Sequence, residues 1–563
     1  MGFSSATVTD SATDDRSDDT SAIDDGSLKY TAEGGANSSR PTYQEASGAP
    51  IEVTSPLGYS VGFVTVVFLN TGKMIGSGVF STPSTIVKGV GSVGLSLVYW
   101  VIGYLMAAST LSVYLEFASY FPSRSGSEVV YLEQSYPRPR YFFPTVFAVQ
   151  TVVFSFSSSN AVVLAFNTKW SLRLCNVIGV VKLIVLVFIG ITGLVVLGGN
   201  TSVPDPKVNF RHAFDGSSAI SVYGATNALV KVVFSFAGFE NAFNVVNEVR
   251  VCYAPVCPCN TQNEWLTARA QNPVKTLKWS APTALLVTAT LYILANIAYF
   301  SAGTKEEILN SKAVAASVFF EKVFGTSSAS RALNFFIAVS VFGNLLTVLV
   351  GSSRMLRECG RQGVLPFTSF WTSTRPFGTP LGPYAVKWVT TVLMILIPPA
   401  GDAFNFVVDL GIYPMSFFTF LLSVGLLVTR ARRKRLNIPP SEYRAWDIAV
   451  AFSILSNLYM LVAPWYPPTT GATGGDVSFW YATYCVVGLG IVALCGVYYF
   501  VWIKVLPKRG GYQFRQTIIQ LDGGATAHQL VKVPNDQLAE WDAEHDATGR
   551  VRRRIPHDVD IKA

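Results

Sequence analysis

Residues 70 to 84 read NTGKMIGSGVFSTPS, in the middle of an apolar stretch that runs from 61 to 88. Gly72, Gly76, Ser77 and Gly78 stand there at mid-membrane depth, where glycine is a poor way to continue a helix because it costs backbone entropy. A helix that unwinds at that depth bares backbone N–H and C=O groups, which hydrocarbon does not tolerate unless they line a polar cavity. Close packing through small residues is the competing reading of Gly72 and Gly76. A second stretch decides between the two. FSFAGFENAFNVVNE, residues 234 to 248, sets Gly238 beside Glu240, Asn241 and Asn244 inside another apolar run. Two interrupted helices, one opening each half of a chain, are the pattern of transporters built from inverted repeats.

The rest of the chain supplies the membrane setting. Half of its 563 residues are hydrophobic and only 14% are charged. The apolar residues fall in long runs near 61–88, 94–118, 142–166, 175–197, 226–247, 281–302, 333–354, 384–399, 405–429, 447–465 and 479–505. About 20 apolar residues cross a bilayer as a helix, so the expectation is an all-α polytopic membrane protein with eleven spans. The domain reading is an N-tail over 1–55, a transporter domain over 56–505 and a C-tail over 506–563. The N-tail is acidic, polar and poor in aromatics, so it is expected to be disordered, and it has no apolar signal-peptide core. Its single lysine, Lys29, is either a ubiquitin acceptor or an ordinary solvated side chain. The C-tail, with its basic cluster Arg550, Arg552, Arg553 and Arg554, is also expected to be mostly disordered.

Positive charge is retained on the cytoplasmic side. Arg430, Arg432, Arg433, Lys434 and Arg435 follow the ninth stretch, Arg354, Arg357 and Arg361 the seventh, and Lys504, Lys508 and Arg509 the eleventh. Loops 400–404 and 466–478 contain no Lys or Arg, so they lie outside, and both tails are expected in the cytoplasm. The first half conflicts with this count. Arg124, Arg138 and Arg140 precede the stretch 142–166, and Lys169 and Arg173 follow it. At about 1.5 Å per residue that stretch is long enough for one crossing and too short for two. A span is missing.

The breaks suggest a ligand. A helix that restarts after Gly78 presents open N–H groups and the positive end of its dipole, which suit a carboxylate. Carbonyls left open near Lys73 to Ile75 and Phe234 to Phe236 suit an ammonium. A zwitterion with both groups is an amino acid. Lys182 is the most informative charge in the spans, seven residues and about 10 Å into the fourth stretch. It either snorkels to the interface or couples transport to a cation; Glu240 is the second candidate. All four histidines, His212, His528, His545 and His557, fall outside the spans.

KMIGSGVFSTP, FPSRSGSEVVYLEQSYPRPR, NVIGVVKLIVLVF and FSFAGFENAFNVVNEVR resemble the amino acid, polyamine and organocation (APC) superfamily on its L-type amino acid transporter-like branch. Together with HQLVKVPNDQLAEWDAEHDATGR they are similar to fungal high-affinity methionine permeases. The resemblance implies a five-plus-five inverted-repeat (LeuT-like) fold with two extra C-terminal helices. It implies secondary active transport of a neutral amino acid, methionine foremost, with a proton as coupling ion at the plasma membrane. It places the substrate carboxylate at Ile75, Gly76, Ser77 and Gly78, and the amine and side chain beside Phe234, Phe236 and Ala237. Gly238 forms the second break, and Phe239 is a candidate gate. Lys182 matches a lysine whose ammonium stands where sodium-driven relatives bind Na⁺. No cofactor, metal or nucleic acid is implied, and the unit is a monomer. The lost crossing then matches the fourth helix of the superfamily, since Ala165 joins directly to Phe166.

Residues 251 to 271 interrupt this pattern. They bring Cys252, Cys257 and Cys259 together, a spacing that lacks a fourth metal ligand. Without them the chain reads NEVRNPVKTLKWSAP, matching the superfamily without a gap, so this is an anomalous cytoplasmic insert with the features of a translated intron. The rival functions are a sensor that binds an amino acid without moving it, and a variant made inactive by the missing helix. A membrane enzyme is disfavoured because the spans hold no convergent Ser/His, metal-ligand or paired-acid set.

Overall fold

The computed structural model describes residues 57–153, 168–249, 273–396 and 403–545, with short breaks inside those runs. The first apolar stretch forms α1 (Phe63–Met74), α2 (Gly78–Ser81) and α3 (Pro83–Val90). Then come α4 (Val93–Tyr120), α5 (Glu128–Ser135), α6 (Phe142–Val153), α7 (Thr168–Leu197) and α8 (Val222–Phe236), followed by a 3₁₀ helix over Asn241–Glu248. The later helices are α9 (Pro273–Ala302), α10 (Ser328–Arg361), α11 (Leu381–Leu396), α12 (Ala403–Arg435), α13 (Asp447–Val462) and α14 (Thr483–Tyr499).

Among the described residues, nine helical segments are long and apolar enough to cross a membrane. Two of the eleven expected spans are not among them. α11 has 16 residues, and α6 covers only the first 12 of the stretch 142–166. The remainder of that stretch, where the missing crossing was expected, lies outside the described residues. So do Lys29, the insert 251–271 and the arginines from Arg550 onward.

The helices divide their surfaces as a bilayer demands. On α7, Val177, Val180, Ile184, Val187, Ile191 and Leu194 recur at helical spacing and stand exposed, a stripe for lipid. The opposite side of α7 carries buried Ile178, Lys182, Val185 and Ile189. It packs on α9, α10 and α1, and α9 in turn lies against α4 and α1. The first broken helix is therefore enclosed by α7, α9 and α10.

Two stretches depart from the sequence expectation. Arg354, Arg357 and Arg361 belong to α10 itself and are buried, because the helix continues beyond residue 354 into a packed layer. The C-tail is also ordered where it was expected to be disordered. Tyr512–Gln520 (β1) and Thr526–Pro534 (β2) pair antiparallel, Tyr512 opposite Pro534, and Leu538–Glu544 (α15) follows. Burial reaches both faces of the hairpin, since successive strand residues point to opposite sides. His528 and Ala527 are buried, Arg361 Nε donates to Thr526 O at 2.9 Å, and the Trp502 and Phe514 rings meet at 5.3 Å.

Candidate substrate site at the crossing of two broken helices

α1 ends with Ile75 N–H donating to Thr71 O at 2.8 Å. Ile75 then takes φ −75°, ψ 87°, and Gly76 N–H turns back to Met74 O at 2.9 Å, an inverse γ-turn. Helix resumes at Gly78. The second break begins after Phe236, where Ala237 is extended at φ −60°, ψ 123°. Gly238 follows at φ 137°, a conformation that side-chain-bearing residues rarely adopt, and its N–H donates to Glu240 Oε2 at 2.9 Å.

The two breaks touch. A β-carbon on Gly238 would lie 2.8 Å from Met74 N, so glycine is required here by contact as well as by torsion. Lys73 Nζ donates to Glu240 Oε1 at 2.6 Å. Asn241 Nδ2 donates to Leu69 O at 3.1 Å and to Thr347 O at 3.0 Å, and Asn70 Oδ1 accepts from Ala242 N–H at 2.9 Å. Each break thus repairs backbone groups of the other.

Most of the carbonyls expected to be open are occupied. Lys182 is buried, and its ammonium donates to Gly72 O at 2.7 Å and Ile75 O at 2.8 Å. This rules out snorkelling: the ammonium seated at the first break is the protein's own. Asn344 Nδ2 reaches Lys73 O, and the Tyr292 hydroxyl is shared between Met74 O at 2.7 Å and Ser235 O at 3.0 Å. Phe234 O accepts from Ala237 N–H at 3.2 Å.

What remains is a smaller set. Among the described residues, the N–H groups of Ser77, Gly78 and Val79 have no hydrogen-bond partner, and neither do the carbonyls of Phe236 and Ala237. Ser77, Phe234 and Ala237 are half-buried, whereas Ile75, Gly76, Gly78, Phe236, Gly238 and Phe239 are buried. Phe236 packs against Trp100 and Tyr292, with centroids 6.0 and 5.3 Å apart, and Phe239 against Tyr114 at 5.9 Å.

The residues singled out in the sequence therefore lie in or beside one crossing, with Lys182 beneath the first break and Glu240 between the two. They do not all face it alike. A β-carbon would come 2.7 Å from Thr347 at Gly72 and 2.9 Å from Asn344 at Gly76, so the small-residue packing reading of those two holds alongside the break, and Gly78 packs as closely on α8, 2.5 Å from Ser235 Oγ. Sequence reasoning missed Tyr292, Asn344 and Asn70. Asn344 stands out as an amide within an apolar run and could have been found; Tyr292 carries no such signal.

The sequence pattern of the family described as Amino acid permease matches residues 61–166 and 152–494. A high-affinity methionine permease of Saccharomyces cerevisiae is 33% identical over 522 residues, covering 86% of this chain and 86% of its own length. The low-affinity methionine permease of the same yeast is 28% identical, covering 85% of this chain and 89% of its own. The human b(0,+)-type amino acid transporter 1 is 25% identical, covering 81% and 91%. Among solved structures, a mutant manganese transporter of Eremococcus coleocola aligns at 13% identity and a TM-score of 0.41, over 82% of this chain and 98% of that one, too loosely to bear on the fold. With helices broken at both expected positions and a family match across most of its length, this chain belongs to the amino acid permease family.

Proposed function

We propose that the protein imports a neutral L-amino acid, methionine foremost, across the plasma membrane by alternating access with proton symport. The observation that carries this reading is the pair of unspent backbone sets, N–H at Ser77 and Gly78 and C=O at Phe236 and Ala237. They are complementary to a carboxylate and an ammonium respectively, and half-buried Ser77 and Ala237 mark the side from which both can be reached. Phe234, Phe236 and Ala237 border the substrate's amine and side chain, Phe239 is the candidate gate, and Lys182 holds the first break through a positive charge that protonation controls.

The direct test is uptake of radiolabelled methionine by cells expressing the full chain, with and without an inward proton gradient, in competition with other amino acids. Saturable uptake that rises with the gradient supports the reading. Saturable binding without uptake would replace transport by sensing.

A second reading concerns activity. The family match divides in two, and residues 152–166 fall in both parts. The alignments to the yeast permeases run over 522 and 516 positions, more than the 86% and 85% of this chain that they take in, so these relatives carry residues that this chain lacks. Both facts favour a chain short of one crossing, and hence one that is impaired.

A further inference from the structure

A second ion pair is buried in the membrane region, away from the crossing. Lys231 Nζ donates to Asp409 Oδ1 at 2.7 Å, with side chains 1% and 4% exposed. Lys231 lies on α8, five residues and about 7.5 Å outward of the break at Phe236; Asp409 lies near the outer end of α12. Around the pair, Met106, Leu229, Val230, Ile412 and Met460 form an apolar cluster joining α4, α8, α12 and α13. The Thr226 and Tyr459 hydroxyls meet at 3.0 Å across the same seam. The inner half of this broken helix is tied separately, by Arg354 Nε to Glu248 Oε1 at 2.9 Å, with the Tyr384 hydroxyl accepting from Arg354.

We propose that Lys231–Asp409 is the outer latch, holding the outer half of the second broken helix against α12 until water enters and the pair separates. The proposal rests on the alternating-access reading. Its physical basis is that a lone charge at this depth is costly, whereas a paired one and a hydrated one are both tolerated. The pair is therefore stable when the seam is dry and closed, or open and wet, and unstable between the two. That is the two-state behaviour a gate requires. With Glu248–Arg354 also intact, both halves are tied down here.

The test reads accessibility rather than transport. Val233→Cys, half-buried in the apolar cluster, is placed in the full chain and labelled on intact cells with a membrane-impermeant thiol reagent, the chain without the added cysteine serving as blank. Asp409→Asn and Lys231→Met should each raise the labelling rate roughly tenfold or more by enlarging a minor open population. The exchange of Lys231→Asp with Asp409→Lys should return it toward the starting rate. If the single variants fail to reach the surface, Lys231→Met combined with Asp409→Leu removes the unpaired charge and should still label fast. Unchanged labelling in the variants that reach the surface overturns the latch, as does an exchange variant that labels like the single ones. A chain that takes up no amino acid but changes its labelling in this way would refute transport and leave the latch standing.

Discussion

The ammonium of Lys73, on the first broken helix, donates at 2.6 Å to the carboxylate of Glu240, on the second. The other carboxylate oxygen accepts the N–H of Gly238, so one side chain both bridges the breaks and caps one of them. Glu240→Gln keeps an acceptor for Gly238 but loses the charge facing Lys73. We expect surface delivery to be retained and the uptake rate to fall about tenfold, since an ion pair this shielded is worth more than a surface one. Normal rate and affinity in Glu240→Gln would reduce the carboxylate to a hydrogen-bonding role.

Lys182 donates to the carbonyls on both sides of the unwound turn, Gly72 O and Ile75 O. Lys182→Met fills the space without a donor; Gly72 O keeps only Asn344 Nδ2 at 3.3 Å, and Ile75 O is left open at a cost of about 1 to 3 kcal/mol. Uptake should be lost. Lys182→Arg should not rescue it, because a planar guanidinium does not replace a compact ammonium between two acceptors at 2.7 and 2.8 Å. Uptake by Lys182→Met with an unchanged rate and pH profile would remove Lys182 from the coupling machinery.

The two breaks were legible in the sequence because glycine, amide and carboxylate side chains interrupt otherwise apolar runs, and a membrane makes such interruptions costly. Their mutual repair was not. That the carbonyls around Ile75 are taken by Lys182, Asn344 and Tyr292 depends on how α7, α10 and α9 pack against α1, and no local pattern records it. Lys231–Asp409 escaped notice for the same reason, since its partners stand 178 residues apart. The C-terminal hairpin was missed because polar residues are interspersed through both strands; their order depends on contact with the C-terminal end of α10, where Arg361 Nε donates to Thr526 O and His528 and Ala527 are buried on opposite faces of β2.

Gly78 now has a second role to test. A β-carbon there would lie 2.5 Å from Ser235 Oγ and 3.0 Å from Ser235 Cα. Gly78→Val should abolish uptake, but through overpacking of about 1 to 3 kcal/mol as much as through blocked approach of a carboxylate. Gly78→Ala together with Ser235→Gly separates the two effects by making room. Recovery of surface delivery and uptake would assign Gly78 to packing; recovery of delivery alone would leave it at the carboxylate.

The last prediction concerns the crossing proposed to be missing. The reading rests on the basic residues on both sides of 142–166, which by the positive-inside rule call for a return crossing that a stretch of this length cannot also hold. The double use of 152–166 in the family match is what a single apolar run produces when it is asked to stand for parts of two helices. Loss of a scaffold helix would bare an apolar groove and invert the charge rule for everything on one side of it. Inserting the corresponding loop and helix of the yeast high-affinity methionine permease between Ala165 and Phe166, and deleting 251–271, should therefore raise both surface delivery and methionine uptake, roughly tenfold or more, an activity change of 1.4 kcal/mol or greater. Deleting 251–271 alone should do little, because a loop of that size adds little closure entropy. If the unmodified chain reaches the surface and transports as well as the repaired one, no crossing is missing, and the return passage must be found between Tyr141 and Trp170.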